Sequence, residues 1–154
     1  RGLVGSEMCI RDRDRMAKFY VHTGMIGLDG VKMSKSLGNL VFVHKLVGAG
    51  EDPSAIRLGV FAGHYRDERD WSDEVLDAAK RRLAAWREAL EQPGSMAGAE
   101  EVVAKLRAAI ANDLDTPAAL AVVDDWVEAD RGTDEDGAAD LVRTALNSLL
   151  GVQA

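Results

Sequence analysis

The sequence predicts a mainly α-helical fold, in which short strands and a glycine-punctuated loop precede an antiparallel helical bundle. Two observations predict it. Between residues 19 and 43, short runs of β-branched, aromatic and apolar residues alternate with glycines. From residue 52 onward, apolar residues recur every three to four positions, and Pro or Gly marks the connections. Four antiparallel helices with short connections are the simplest arrangement for this second part.

Strands are predicted at residues 19–22 and 25–28, where β-branched, aromatic and apolar side chains concentrate. The pair Asp29-Gly30 follows, and Asp-Gly between two extended runs is typical of a β-hairpin turn. Residues 32–39 then form a loop, which leads into another short extended piece or a brief helix.

Two helices are predicted from their first residues. Asp52 followed by Pro53 is typical of an N-cap with proline in the first turn, and this helix extends to about residue 62. Ser72 caps a long helix that ends before a Pro-Gly pair. Its apolar residues between positions 75 and 90 form one buried stripe.

Three more helices complete the bundle. The first of them covers residues 98–112. The next begins at Thr116, the expected cap, with Pro117 in its first turn. An acidic and glycine-rich stretch at residues 132–137 precedes the last helix, which Gly151 ends.

Composition restricts the setting of the protein. No stretch approaches the ~20 apolar residues of a membrane span, so we expect a cytoplasmic protein without a membrane partner. Cys9, the one cysteine, cannot form an internal disulfide, which fits a reducing compartment. Residues 1–13 have neither helix nor strand periodicity, and we expect them to be a non-native or disordered segment.

Charge differs between the two halves. Residues 14–71 carry 8 Lys and Arg against 7 Asp and Glu, whereas residues 72–154 carry 8 against 17. Proteins that bind nucleic acid gain most of their affinity by neutralising phosphates with basic residues. The net charge of −9 on the second half therefore argues against a nucleic-acid partner.

The segment Lys32-Met33-Ser34-Lys35-Ser36 combines two ammonium groups and two hydroxyls on a loop bordered by glycines. Lysine is a compact charge with three donors, well suited to polyphosphate. When a carboxylate attacks the α-phosphorus of ATP, negative charge grows on the departing pyrophosphate, and lysines placed there stabilise the transition state. On residue types alone, the segment fits either a loop that binds polyphosphate or an ordinary surface loop rich in Lys and Ser.

The string from His22 to Asn39 resembles the second signature, KMSKS, of the class I aminoacyl-tRNA synthetases, specifically the cysteinyl-tRNA synthetase group. Arg57-Leu58 and residues 63–66 look like the helix and turn that follow this loop in that group. Residues 112–120 and the ending at 149–152 resemble the family of cysteine ligases of mycothiol biosynthesis.

This resemblance implies a fragment of an AMP-forming carbon–nitrogen ligase that ends at its natural C-terminus. Residues 14–50 would be the end of a Rossmann-type α/β catalytic domain. Residues 51–71 would be a connecting stem helix and turn, and residues 72–154 the C-terminal helical bundle. The fragment would pack on a missing N-terminal catalytic half and would be inactive alone.

The resemblance also implies the site. ATP, a substrate, would lie by the KMSKS loop, cysteine would become cysteinyl-adenylate, and the amine of glucosaminyl-inositol would attack it to form an amide. The implied catalytic residues are Lys32 and Lys35. The implied ATP-binding residues are Ile26, Lys32, Met33, Ser34, Lys35 and Ser36, beside backbone made approachable by Gly24 and Gly27.

Zinc is expected in the full-length enzyme, but the chain lacks its cysteine ligands, and it also lacks a His-x-Gly-His first signature. We therefore assign no metal ligand. Two alternatives remain open: a cysteinyl-tRNA synthetase fragment, which the charge of the bundle disfavours, and a non-catalytic helical interaction module. A module would need a protein partner and would ignore ATP.

Other prominent side chains are interpreted as structural. His64, near a helix end, is expected to satisfy a local hydrogen bond rather than line a site. Asp113 and Asp115 are expected to be helix-start acids rather than a metal or acid–base pair. The three tryptophans are predicted to lie in the core, and residues 134–136 in a solvated loop.

Overall fold

The computed structural model describes residues 18–92, 94–129 and 135–154. Its elements, in chain order, are β1 (Ile26–Leu28), β2 (Val31–Lys32), α1 (Val43–Gly48), α2 (Pro53–Phe61), β3 (Arg69–Trp71), α3 (Asp73–Leu90), α4 (Met96–Ala111), α5 (Thr116–Glu128), α6 (Ala138–Ala145) and a π-helical turn (Leu146–Leu150). The predicted mainly helical fold is confirmed.

The three strands form a small mixed sheet in the order β2-β1-β3. β1 and β2 are the predicted hairpin, and its turn residues Asp29 and Gly30 have φ values of 54° and 72°. Positive φ at both turn residues is typical of the type I′ turns that join antiparallel strands. β3 runs parallel to β1, with Gly27 opposite Asp70.

The strand predicted at residues 19–22 is wrong. These residues adopt no regular structure, and Phe19 is 85 % exposed. Because an apolar run becomes a strand only where another strand pairs with it, composition alone misleads here. The brief helix expected near residue 44 is present as α1.

Helices α2 and α3 begin at side-chain caps, as predicted. The Asp52 carboxylate accepts a hydrogen bond from the Ser54 amide at 2.7 Å, and Ser72 Oγ accepts one from the Val75 amide at 3.3 Å. Such caps satisfy amide groups that have no partner within the helix.

Two predicted helix starts need correction. α4 begins at Met96 rather than at residue 98, because Ser95 Oγ caps it by accepting from the Gly98 amide at 3.1 Å. The cap of α5 is Asp115, not Thr116, and its carboxylate accepts from the Ala118 amide at 3.0 Å. The predicted last helix ends at Gly151, whose φ is 65°.

Helices α2 to α6 surround the larger of two apolar cores. Its fully buried side chains include Leu58, Trp86, Leu106, Leu120 and Leu146. The three tryptophans are buried, as predicted, and the Trp86 indole donates to Asp124 at 2.8 Å. A smaller cluster of Ile56, Trp71 and Leu76 lies under the sheet.

Candidate functional site

The KMSKS segment begins with the last residue of β2 and continues beyond the hairpin. We call residues 32–39 the lysine loop. Lys32 is the last residue of β2 and pairs with Gly27 of β1, so the sheet fixes where the loop starts. The turn of the hairpin is held as well, because the Gly30 amide donates to the Asp70 carboxylate of β3 at 2.9 Å.

Asn39 closes the lysine loop. Its side-chain oxygen accepts from the Ser34 amide at 2.9 Å, and its side-chain nitrogen donates to the Lys32 carbonyl at 3.3 Å. One amide side chain therefore joins both ends of the loop. Asn39 is the last residue of the string that resembles the synthetase signature, but no role could be assigned to it from the sequence.

The two serines support the loop from within. Ser34 Oγ accepts from the Leu37 amide at 3.3 Å and lies 3.2 Å from Ser36 Oγ. The Gly38 amide donates to the Lys35 carbonyl at 3.2 Å, with Gly38 at a φ of 69°. Glycine adopts this left-handed conformation without strain, so the loop can turn sharply here.

The lysine side chains face solvent. Lys32 and Lys35 are both exposed, and within residues 18–92, 94–129 and 135–154 neither takes part in an ion pair. Lys80 and Lys105 differ, because their ammonium groups each lie 2.7 Å from a glutamate oxygen. The ammonium groups of the lysine loop thus keep their donors for a ligand.

Ile26 and Met33 lie beside the loop but point their side chains inward. Both pack on the cluster that contains Trp71 and border an apolar cavity of about 210 Å³. The structure therefore places Ile26 beside the first residues of the lysine loop. Its implied role in binding ATP stays a prediction.

Lys32 also borders an open cleft of about 340 Å³. Glu68, Arg69 and Asp70 also line this cleft, together with Met25 and residues of the hairpin. Arg69 is held at the base, where it donates to the His64 carbonyl at 2.9 Å and to the Val60 carbonyl. Burial lowers the pKa of Arg69 from its ordinary value.

Gly24 and Gly27 are needed for close contacts within the chain. A Cβ on Gly24 would lie 2.1 Å from the Asp67 carbonyl oxygen, and one on Gly27 would lie 2.3 Å from Asp70 Oδ1. The space that a side chain would fill is therefore occupied by the segment that carries β3. This is a packing role, which differs from the nucleotide-facing role that the resemblance implied.

The segment before β3 also contacts the helical bundle at Asp113. The Arg66 guanidinium donates to both Asp113 carboxylate oxygens, at 2.7 and 3.0 Å, and the Tyr65 hydroxyl donates at 2.7 Å. These hydrogen bonds, from Arg66 first and then Tyr65, lower the pKa of Asp113 to about 2. The same contact raises the pKa of Tyr65.

Asp113 is thus not the helix-start acid that the sequence predicted, whereas Asp115 is. The interpretation of His64 is confirmed: its Nδ1 accepts from the Arg66 amide at 3.3 Å, and its Nε2 lies 3.0 Å from the Asp113 carbonyl oxygen. Since a carbonyl only accepts, Nε2 carries the proton and donates.

One residue of the predicted loop at 134–136, Glu135, makes hydrogen bonds near the start of α4. Position 134 lies outside the described residues, but Glu135 donates its amide to the Gly94 carbonyl at 3.0 Å and accepts from the Met96 amide. Glu135 therefore supports the start of α4. Cys9 and residues 1–13 also lie outside the described residues.

Over residues 18–92, 94–129 and 135–154, no three His, Cys, Asp or Glu side chains come together as metal ligands. These residues do not fit the zinc site that the resemblance implies for a full-length enzyme, and no chemical step is assigned to zinc. No helix in the same ranges combines the length and the apolar character needed to cross a membrane.

Comparison with known proteins identifies a family match over half of the chain. Residues 4–81 match the family model described as tRNA synthetases class I (C) catalytic domain. The match begins within residues 1–13, the segment set aside on sequence grounds, and includes the hairpin and the lysine loop.

Curated relatives extend the similarity to the bundle. The chain is 63 % identical over 142 residues to a protein of Corynebacterium aurimucosum, 60 % over 141 residues to one of Saccharomonospora viridis, and 51 % over 146 residues to one of Mycobacterium avium. Each is named as an L-cysteine:1D-myo-inositol 2-amino-2-deoxy-alpha-D-glucopyranoside ligase. The alignments cover 91, 88 and 94 % of this chain and 34, 34 and 38 % of the relatives, so the chain spans about a third of their length.

Proposed function

The chain belongs to the family of class I (C) tRNA synthetase catalytic domains, and we propose that it is part of an enzyme that activates cysteine with ATP and ligates it to glucosaminyl-inositol. In the first step the cysteine carboxylate attacks the α-phosphorus and pyrophosphate leaves. In the second step the amine of the amino sugar attacks the acyl carbon, AMP leaves, and the amine gives up a proton. The product is an amide.

The observation that carries the proposal is the lysine loop. Lys32 and Lys35 extend from a loop that Asn39 closes, and both ammonium groups face solvent. In the proposed reaction they bind the β- and γ-phosphates and stabilise the charge that develops on pyrophosphate. A loop held at both ends places these charges before the reaction begins, so little reorganisation is needed.

The other implied residues have supporting roles in this proposal. Ser34 and Ser36 shape the loop through their paired hydroxyls, which lie 3.2 Å apart. Ile26 and Met33 anchor it to the apolar cluster, and their main chain borders the nucleotide. The second step gains mainly from holding the adenylate and the amine together.

We propose further that the apolar surface around the hairpin contacts the remaining part of a longer ligase. Ten large apolar side chains are exposed in the described ranges, and all but Leu114 lie between residues 19 and 47. A concentration of this kind marks an interaction surface. We also propose a cytoplasmic location, which fits the use of ATP and cysteine as substrates and the single cysteine of the chain.

The test of this contact is association in solution. The remainder of the Corynebacterium aurimucosum relative, mixed with this chain, should form a complex in sedimentation analysis. Replacement of the exposed Phe42 and Val43 by serine should weaken the complex. Equal sedimentation of the mixture and its separate components would contradict the contact.

Activity is tested by exchange of the matching segment. A chimaeric protein in which this chain replaces the matching third of the Corynebacterium aurimucosum relative should release AMP when cysteine, ATP and the amino sugar are present. Lys32→Ala and Lys35→Ala should each lower kcat about 10²-fold, the loss typical of removing one transition-state donor. Lys105→Ala, a surface lysine of α4, is the matched control and should leave kcat unchanged.

Three outcomes separate the alternatives. AMP release that depends on the amino sugar supports the proposal. Release that depends on tRNA instead would favour a cysteinyl-tRNA synthetase fragment. No release from a folded chimaera would refute the proposed reaction. Equal kcat in the Lys32→Ala variant and the control would exclude a catalytic role for Lys32.

A further inference from the structure

The connection between α2 and α3, residues 63–70, lies between the hairpin and the helical bundle. On the hairpin side, the Gly24 amide donates to the Tyr65 carbonyl at 2.8 Å, and the Arg69 amide donates to the Met25 carbonyl at 3.0 Å. β3 then continues the pairing along β1. The connection is thus joined to the strand that precedes the lysine loop.

On the bundle side, the connection is held by the turn between α4 and α5. Asp113 receives the bidentate contact of Arg66 and the hydroxyl of Tyr65, from residues 47 and 48 positions away in the chain. Thr116 Oγ1 adds a longer hydrogen bond to the Gly63 carbonyl at 3.4 Å. The Arg66 and Tyr65 contacts converge on one carboxylate.

The backbone at this turn is unusual. Asp113 and Leu114 have φ values of 53° and 55°, two consecutive non-glycine residues in the left-handed region. Such a conformation costs free energy and persists only where surrounding contacts impose it. Asp tolerates it better than most residues, and here it directs the carboxylate at Arg66.

The contact is a geometric restraint rather than a source of stability. The Arg66 and Asp113 side chains are 49 and 50 % exposed, and ion pairs at such sites contribute little net free energy. A planar guanidinium that binds both carboxylate oxygens nevertheless fixes distance and orientation. Loss of the Arg66–Asp113 contact should therefore change the position of residues 63–70 more than the overall stability.

We propose that Asp113 is a positioning residue for the lysine loop. Asp113 holds the connection over residues 63–70 on the bundle, and the connection holds β1, from which β2 and Lys32 take their position. Its catalytic consequence rests on the proposed function, since an error of about 1 Å in the placement of a reacting group can cost about 10²-fold in rate.

The first test is amide hydrogen exchange on the 154-residue chain. In Asp113→Ala, and to a smaller extent in Asp113→Asn, the amides of Gly24 and Arg69 should exchange about threefold faster or more, because local opening becomes easier. Asp140→Asn is the matched control, since it removes another exposed carboxylate that pairs with an arginine, Arg143 at 2.6 Å. It should change neither amide.

Two results would overturn the proposal. Equal exchange at Gly24 in Asp113→Ala and in Asp140→Asn would show that the hairpin does not depend on Asp113. An equal rise at the buried helix α4 residue Leu106 would show that Asp113 stabilises the bundle as a whole. This measurement uses no ATP, so its outcome is independent of the proposed reaction.

The second test uses the chimaeric ligase. Asp113→Ala should lower kcat for AMP formation about tenfold with KM for cysteine unchanged, because the lysines lose their alignment while the cysteine site is untouched. In a protein that already carries Lys32→Ala, the further change Asp113→Ala should lower kcat little, since a lysine that is absent cannot be misplaced. A kcat equal to that of Asp140→Asn, or full additivity with Lys32→Ala, would overturn the positioning role. An unmodified chimaera without activity would refute the proposed function instead, and the exchange result would still decide the role of Asp113.

Discussion

Gly24→Ala should separate the hairpin from the connection that carries β3. The added methyl would lie 2.1 Å from the Asp67 carbonyl oxygen, 2.3 Å from its carbon and 2.8 Å from the Arg66 carbonyl oxygen. All three atoms belong to the main chain and cannot rotate away. The two segments must therefore move apart by about 1 Å, a shift that cores and tight contacts resist.

The expected destabilisation has two sources, steric overlap and a broken hydrogen bond. Overpacking that forces a backbone shift costs about 1–3 kcal/mol. The Gly24 amide also loses its 2.8 Å hydrogen bond to the Tyr65 carbonyl, and such a bond contributes about 1 kcal/mol. We expect a total destabilisation of about 2–4 kcal/mol, greatest at the sheet.

Gly48→Ala is the matched control. Gly48 is the last residue of α1, and a Cβ there would meet nothing within 4 Å. Alanine is favoured over glycine in helices by up to about 1 kcal/mol, so this variant should be neutral or slightly more stable. The assay is urea unfolding followed by tryptophan fluorescence, with hydrogen exchange at the Arg69 amide as the local measure. Equal midpoints for the two variants, with equal exchange at Arg69, would falsify the close-packing argument for Gly24.

Three further outcomes are expected. The contribution of the Arg66–Asp113 contact to stability is small, but it should be complete above about pH 4 and be lost as the pH falls toward 2, because Arg66 holds the folded-state pKa of Asp113 at about 2, below the ordinary value of 3.8. The carboxyl-carbon NMR shift reports this titration directly. Leu106→Ala, at a fully buried position, should cost about 2–5 kcal/mol in urea unfolding, and a cost below about 1 kcal/mol would contradict its place in the core. Asp52→Ala should cost about 0.5–2 kcal/mol by removing the cap on the Ser54 amide, whereas Asp52→Asn should retain most of it, as circular dichroism melting will show.

The helices could be predicted because their signals are local. Asp52 and Ser72 cap the helices that they were expected to cap, and Gly151 ends the last one. An N-cap depends on a side chain and on amides two or three residues later, so the sequence contains the whole interaction. The same reasoning gave Thr116 in place of Asp115, an error of one residue between two good capping types.

The strand β3 could not be predicted, because Trp71 is the one residue of Arg69-Asp70-Trp71 whose type is favoured in strands. Its extended form comes from pairing with β1, which lies far earlier in the chain, and from burial of Trp71. The role of Asp113 was missed for a related reason. Its partners Tyr65 and Arg66 are distant in sequence, and no pattern signals a left-handed turn at Asp113 and Leu114.

Within the site, the sequence indicated the lysines but not what holds them. Residue types suited to phosphate are visible in a linear string, whereas the closure of the loop by Asn39 and the hold of Asp70 on Gly30 require the folded chain. The residue types were therefore visible in the sequence, whereas the contacts that hold them were not. The assignment of Lys32 and Lys35 as catalytic stays a prediction until the variants are measured.

Helix α2 is the common wall of two separate apolar cores. Ile56 belongs to the cluster under the sheet, while its near neighbours Ala55 and Leu58 belong to the core of the bundle. A displacement of this one helix would therefore change the packing of both cores. A change of volume at Leu58, inside the bundle, should consequently be transmitted through α2 to Ile56 and to the apolar cluster beside the lysine loop.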